Sequence, residues 1–227
     1  LTFIVVGGGA TGVELAGAIG EMKNYTLRHE FRAIDPRDAR ILLVDAGERI
    51  LPGFDPALSA RAHRDLQQLG VEVQTRTFVT DVGIDYIIAG DQRIATSCVL
   101  WSAGTRGAPV LASLGVPLDR QGRVHVVVEG SVPGHAEVFV VVDGAHYETD
   151  GSNTPLSGVA QVAIQMGRHA ARCIVDDVSA RRRSSFNYFD RGKLAVIGRG
   201  RAVCEIGPFK FGGLPAWLVW AFVHIMF

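Results

Sequence analysis

The chain has 227 residues, 48% hydrophobic and 20% charged, and its 23 Lys and Arg balance 23 Asp and Glu to a net charge of zero. That is ample apolar material for a buried core, and the lack of a basic excess gives no electrostatic support for nucleic-acid binding. Its three cysteines, Cys98, Cys173 and Cys204, are scattered and form no Cys-x-x-Cys. No zinc or redox-dithiol motif is therefore readable, no metal site is expected, and scattered thiols fit a reducing compartment such as the cytoplasm.

In chain order, Thr2–Val6 is a β-branched and aromatic run with the pattern of a buried strand, and a helix follows over residues 13–23. Small residues on that helix, Ala16, Gly17, Ala18 and Gly20, permit close packing against a sheet. Arg40–Val44 is a second apolar strand ending in Asp45. After a loop over 52–56, Asp55 at the N-cap and Pro56 at the first helical position predict a helix to about Leu69, stopped by Gly70. Val71–Gln74 is the next strand. The short runs 78–82, 85–89, 92–95 and 97–101, separated by turn residues such as Gly90-Asp91, predict an antiparallel meander inserted in the α/β unit. Residues 123–128 and 138–142 read as strands, the second ending at Asp143-Gly144. A polar Gly/Ser/Asn/Pro loop then precedes a helix over 159–175. Arg181-Arg182-Arg183 reads as a solvated loop, and 186–189, 194–197 and 202–206 as a last small sheet.

Within "IVVGGGATGVELAG", Gly7, Gly9 and Gly12 form G-x-G-x-x-G between a strand and a helix, the context in which this motif binds a dinucleotide. The first glycine allows a tight turn, the second lets backbone approach a pyrophosphate, and the third lets the helix pack closely with its N-terminus aimed at the phosphates. Asp45 stands where an acid hydrogen-bonds the adenine ribose 2′-hydroxyl, which favours NAD over NADP. The spacing from Gly12 to Asp45 exceeds the usual ~20 residues, and the polar stretch 24–39 accounts for the excess.

"VFVVVDGAHY" (138–147), "WSAGT" (101–105) and "PLSGVAQVAIQMGRHAA" (155–171) together resemble the flavoprotein family with two dinucleotide-binding domains, and within it the type II NADH:quinone oxidoreductases. The resemblance extends over essentially the whole chain, through "GVELAG", "RILPGFD", "GRV", "FNYFDRGKLAVIGRGRAV" and "GGLPAWLVWAFVHI". It implies an α/β chain with a Rossmann-like NADH-binding domain over 1–105 carrying the meander. The C-terminal portion of an FAD-binding domain would follow over 106–180, then a membrane-association region over 181–227 with a small sheet and an amphipathic helix. Because that family places a first FAD fingerprint ahead of the NADH domain, the chain is expected to be the later part of a larger flavoprotein.

The resemblance also implies residue roles. Ala103 and Gly104 of "WSAGT" join the cofactor-binding set, Asp143 is the acid that hydrogen-bonds the FAD ribityl chain, and Arg191 reaches the flavin. Where the family has Gly before that Asp, this sequence has Val142. Gln161 and Gln165 are one helical turn apart and share a face. By themselves they are surface glutamines; the resemblance assigns them to the flavin and the quinone headgroup. Glu14, by itself a carboxylate favourably placed near a helix N-terminus, is implied to lie near nicotinamide and flavin for proton movement. The implied cofactors are FAD and NAD(H), and the implied acceptor a quinone.

A helix over 214–227 would be about 21 Å long at ~1.5 Å per residue, short of the ~30 Å hydrocarbon core. With Lys210, Trp217 and Trp220 it suits a helix lying in the membrane interface, or a core or dimer-packing helix in a homodimer. The resemblance implies the former, a peripheral protein on the cytoplasmic face of the inner membrane. Two other functions remain open on the sequence: another pyridine-nucleotide flavoprotein reductase, and a non-catalytic NADH-sensing module.

Overall fold

The computed structural model describes residues 1–149 and 155–226. By its own contacts the chain divides into two compact units, one formed by Leu1–Gly104 with Gly192–Phe227 and the other by Thr105–Arg191. Much of the polar loop expected ahead of the helix at 159–175 lies outside the described residues.

The first unit opens with strand β1 (Thr2–Val6), helix α1 (Ala10–Glu21), strand β2 (Arg40–Val44), helix α2 (Pro56–Gln68) and strand β3 (Val71–Gln74). A π-helical turn over Met22–Thr26 extends α1, and a short 3-10 turn follows at Pro36–Asp38. These two turns take up the excess spacing before Asp45. Lys23 Nζ donates to Ala39 O at 2.6 Å and Asn24 Nδ2 to Leu69 O at 2.8 Å, tying the insertion down. Asp55 caps α2 as expected, accepting from Ala57 N at 2.8 Å.

Strands β4 (Val79–Val82), β5 (Tyr86–Ala89) and β6 (Gln92–Ala95) form an antiparallel three-stranded sheet. The fourth run expected in this meander does not belong to it. As β7 (Cys98–Trp101) it joins the main sheet, parallel to β1, with Val6 opposite Trp101. Thr96 redirects the chain: its hydroxyl donates to Thr2 O at 2.8 Å and accepts from Cys98 N at 3.1 Å, seeding the new strand beside β1. The main sheet therefore has the order β3-β2-β1-β7, all parallel.

Both faces of this sheet are buried, which is why its strands read as unbroken apolar runs. Val5, Ile41 and Leu43 pack with Val13 and Ala16 of α1 and Leu58, Ala62 and Leu66 of α2. On the opposite face Ile4, Val6, Leu42 and Val44 pack against Ile87, Ala89 and Ile94 of the meander.

The second unit has short strands, β8 (Val124–His125), β9 (Ser131–Val132), β10 (His135–Phe139) and β11 (Ala145–His146), and one long helix, α3 (Ala160–Val178). Pairs β9–β10 and β8–β11 are antiparallel and parallel, respectively. The strand expected over 123–128 shrinks to two residues. The one expected over 138–142 ends at Phe139, and Val142–Gly144 forms a 3-10 turn. Residues 186–189 form no strand. Phe186 N donates to Val128 O at 2.8 Å, and side chains take other backbone groups: Tyr147 Oη donates to Phe186 O at 2.7 Å, and Gln165 bonds both backbone groups of Phe189.

From Gly192 the chain returns to the first unit as the antiparallel sheet β12 (Lys193–Gly198), β13 (Arg201–Ile206) and β14 (Phe209–Gly212), followed by helix α4 (Leu214–Met226). The small residues of α1 serve this sheet: a Cβ on Gly17 would lie 1.8 Å from Ile197 O. Ala195, Ile197 and Val203 thereby enter the same core as β1 and β2. Ala216, Trp217 and Val219 of α4 pack on Ala202 and Cys204. No helix among the described residues is long and apolar enough to cross a membrane.

Candidate functional site

The glycine loop lies at the carboxyl end of β1, where open parallel sheets present ligand-binding crevices. Gly7 has φ +110, and a Cβ there would lie 2.7 Å from Ala103 N. At Gly12 a Cβ would lie 1.8 Å from Gly7 O, so only glycine lets α1 start this close to the strand. A Cβ on Gly9 would meet nothing within 4 Å. Gly9, Ala10 and Thr11 are exposed, and no side chain caps the helix start. The first N–H groups of α1 thus face open space, which suits a diphosphate.

Asp45 is locked to this loop. Its Oδ2 accepts from Gly8 N at 2.6 Å and its Oδ1 from Gly47 N at 2.7 Å. The "RILPGFD" stretch closes the far side, Leu51 N donating to Gly8 O at 2.7 Å. The structure thus brings together Gly7, Gly9, Gly12, Asp45 and Ala103; Gly104 follows with φ +73. A carboxylate so held retains lone pairs for ribose hydroxyls, and the residues present fit an NAD-type dinucleotide.

Glu14 lies on α1 but points to the C-terminal sheet, its Oε1 accepting from Val196 N at 3.2 Å. Burial pushes its carboxyl above the ordinary glutamate value, while the Val196 N–H and the nearby His224 pull it back in part.

In the second unit Asp143 opens onto a cavity of about 590 Å³, lined also by Thr105, Arg120, Arg123, His146 and Ser157. This is within the usual range for a small-molecule site. A Cβ on Gly158 would lie 1.9 Å from Asp143 Oδ1, so glycine there leaves room for the carboxylate. Val142, standing where the resembled family has glycine, has φ +52, a left-handed conformation costly for a β-branched residue. An acceptor carboxylate in a cavity of this size fits a polyol chain such as the ribityl of FAD.

Gln161 and Gln165 share a face of α3 as expected, and both grip the segment leading out of the unit. Gln165 Nε2 donates to Phe189 O and its Oε1 accepts from Phe189 N, both at 2.9 Å. Gln161 Oε1 accepts from Arg191 N at 3.2 Å. Arg191 is therefore held by its backbone, and its side chain is exposed.

Sequence reasoning missed the charged cluster in the cavity wall. His146 lies between two carboxylates, Nδ1 to Asp119 Oδ2 at 2.8 Å and Nε2 to Glu148 Oε1 at 2.9 Å, and its ring centroid lies 4.2 Å from that of His125, the planes tilted by 35°. Arg123 pairs with the same Asp119 oxygen at 2.7 Å. Burial opposes ionisation of Asp119, but bonds from His146, from Arg123 and from the Gln121 N–H outweigh it and hold the carboxyl well below its usual range. Burial likewise lowers His146, and its two carboxylate partners more than reverse this. The only signal was the His in "VDGAHY"; nothing in the sequence ties it to Asp119.

Parallel sheet, glycine loop and locked acid define a Rossmann-type dinucleotide-binding unit. Residues 1–167 match the pyridine nucleotide-disulphide oxidoreductase family, and the chain belongs to that family. It is 41% identical over its whole length to the type II NADH:quinone oxidoreductase Ndh of Mycobacterium tuberculosis and 39% to NdhA of the same organism, covering 50% of each. The chain thus spans about half the length of these curated relatives. Its fold is similar to that of NDH2 from Plasmodium falciparum in complex with NADH, with TM-score 0.87 and 15% identity over 100% of this chain and 62% of that one.

Proposed function

We propose that the chain is the NADH-binding part and a portion of the FAD-binding part of an FAD-dependent, non-proton-pumping NADH:quinone oxidoreductase. The observation that carries this reading is the Asp45 carboxylate bonded to Gly8 N beside the open start of α1. It is joined by the identity to relatives named as type II NADH:quinone oxidoreductases. In this reading residues 1–105 bind NADH, 106–180 contribute to the FAD site, and 181–227 serve membrane association.

The nicotinamide and flavin supply the hydride chemistry when bound. The chain's own residues bind, orient and move protons. Gly9 and the first N–H groups of α1 hold the NADH diphosphate, with Gly7, Gly12, Ala103 and Gly104 shaping the loop. Asp45 accepts from the adenosine ribose and disfavours a 2′-phosphate. Asp143 accepts from the ribityl chain. Gln161 and Gln165 fix the segment 189–191, with Arg191 at its end, on the side where flavin and quinone are handled. Glu14, whose carboxyl is pushed above its ordinary value by burial, is the group suited to pass protons in quinone reduction.

The exposed apolar side chains of α4 favour docking at a membrane surface, where lipophilic quinone is found, and a homodimer is compatible with the same surface; the cytoplasmic face is part of this reading by resemblance to the type II enzymes alone. The test is made on the full-length protein. It should purify with FAD, reduce a short-chain quinone with NADH, and use NADPH poorly. Asp45→Ser should narrow the NADH preference by about tenfold, the scale of one lost charge-assisted hydrogen bond. A protein without flavin, or one using NADPH equally well before mutation, overturns the proposal.

A further inference from the structure

The glycine loop is held from β1 on one side and α1 on the other, and it also meets the turn after β7. Ser102 N donates to Val6 O at 2.8 Å, continuing the β1–β7 ladder. Its hydroxyl adds a donor to the same Val6 O at 2.9 Å and lies 3.3 Å from Gly7 O. The hydroxyl also lies 2.7 Å from where a Cβ on Gly12 would be. The Gly7 carbonyl is thus confined between the Cα of Gly12 and the Ser102 hydroxyl, both part of the first unit.

This carbonyl belongs to the peptide whose N–H is Gly8 N, the group that grips Asp45 at 2.6 Å. Rotating that peptide would move the carbonyl away from Ser102 and the N–H away from Asp45 together, because a peptide unit turns as one plane. It would also swing the following Gly9 and the start of α1. A hydroxyl ninety-five residues away in sequence therefore abuts the carbonyl of the peptide whose N–H holds Asp45.

We propose that Ser102 is a positioning residue for the dinucleotide diphosphate, acting through the Gly7–Gly8 peptide without touching the ligand. This rests on the NADH-binding reading given above. It assigns Ser102 chiefly to binding of the diphosphate, the adenosine ribose being reached only indirectly, through Asp45.

The experiment compares Ser102→Ala and Ser102→Thr with the unaltered chain, each within the full-length protein, titrating NADH, ADP-ribose and adenosine at equilibrium, the weak adenosine by ligand-observed NMR. Ser102→Ala should weaken NADH and ADP-ribose by about tenfold, the scale of one lost hydrogen bond that the hydroxyl shares between the Val6 and Gly7 carbonyls. Adenosine should weaken clearly less than NADH, since its ribose senses the peptide only through Asp45 and it carries no phosphate. Ser102→Thr, which keeps the hydroxyl, should restore most of the diphosphate affinity. Equal weakening of all three ligands by Ser102→Ala, or a fall in thermal stability with unchanged NADH affinity, overturns the positioning role. An unaltered chain that binds neither NADH nor ADP-ribose overturns the NADH reading and this inference together; an unaltered chain that binds both while Ser102→Ala binds equally well overturns this inference alone.

Discussion

Val142 shows how one side chain can strain the backbone beside a candidate site. Its φ of +52 is the conformation glycine adopts without penalty, and its branched side chain lines the same cavity as Asp143. A β-branched residue in the left-handed region costs on the order of 1–3 kcal/mol, and the extra freedom glycine brings to the unfolded chain returns roughly 0.5–1 kcal/mol of that. Val142→Gly should therefore stabilise the protein by about 1 kcal/mol, read as a higher midpoint in urea or thermal unfolding. A lowered midpoint would mean that the packing of the isopropyl group outweighs the strain.

At the scale of elements, the second unit has little regular sheet, and polar side chains do much of the joining. The His146 cluster links β11 to the turn that begins at Asp119 and to Glu148. The Asp119 turn is itself closed by its carboxylate, which accepts from Gln121 N at 2.8 Å and Arg123 N at 2.9 Å. The sign of the pH dependence follows from the direction of each shift. His146 is raised in the folded state, so its contribution is complete below its unfolded value near ~6.5 and is lost as pH rises through the folded value above that. Asp119 is lowered, so its contribution is present above its unfolded value near ~3.9 and is lost as pH falls through the folded value far below that. Unfolding measured from pH 6 to pH 9 should thus show a loss of stability that His146→Asn abolishes. An identical slope in the variant would sink the assignment to His146.

Across the whole molecule, the uneven feature is α4. Its inner side, Ala216, Trp217 and Val219, belongs to a core cluster, while Phe222 is 63% and Ile225 82% exposed. His224 is the one polar side chain along Leu214–Met226, so the outward surface is apolar too. At about 20 Å such a helix is shorter than the ~30 Å bilayer core, which favours lying in the interface over spanning. Co-sedimentation with phospholipid vesicles should fall several-fold in Ile225→Glu, a change at an exposed position that leaves the Ala216 cluster intact. Unchanged binding to vesicles would overturn the membrane docking proposed for this surface.

The sequence by itself determined what is local. The loop from Gly7 to Gly12, the acid ending β2 and the Asp55-Pro56 start of α2 all rest on residues a few positions apart, where backbone sterics and capping act directly. The same holds for α3, whose amides at Gln161 and Gln165 share a face by helical period alone. Tertiary structure decided whatever depends on partners far along the chain. The run ending at Trp101 has the composition of a meander strand, and only Thr96 docking on Thr2 places it beside β1. Residues 186–189 have strand-like composition, yet Tyr147 takes the carbonyl of Phe186 and Gln165 both backbone groups of Phe189. Glu14 meets Val196, Ser102 meets Gly7, and His146 meets Asp119. Each of these contacts exists only after the chain has closed a long loop, and local composition carries no record of which distant donor will complete a given acceptor.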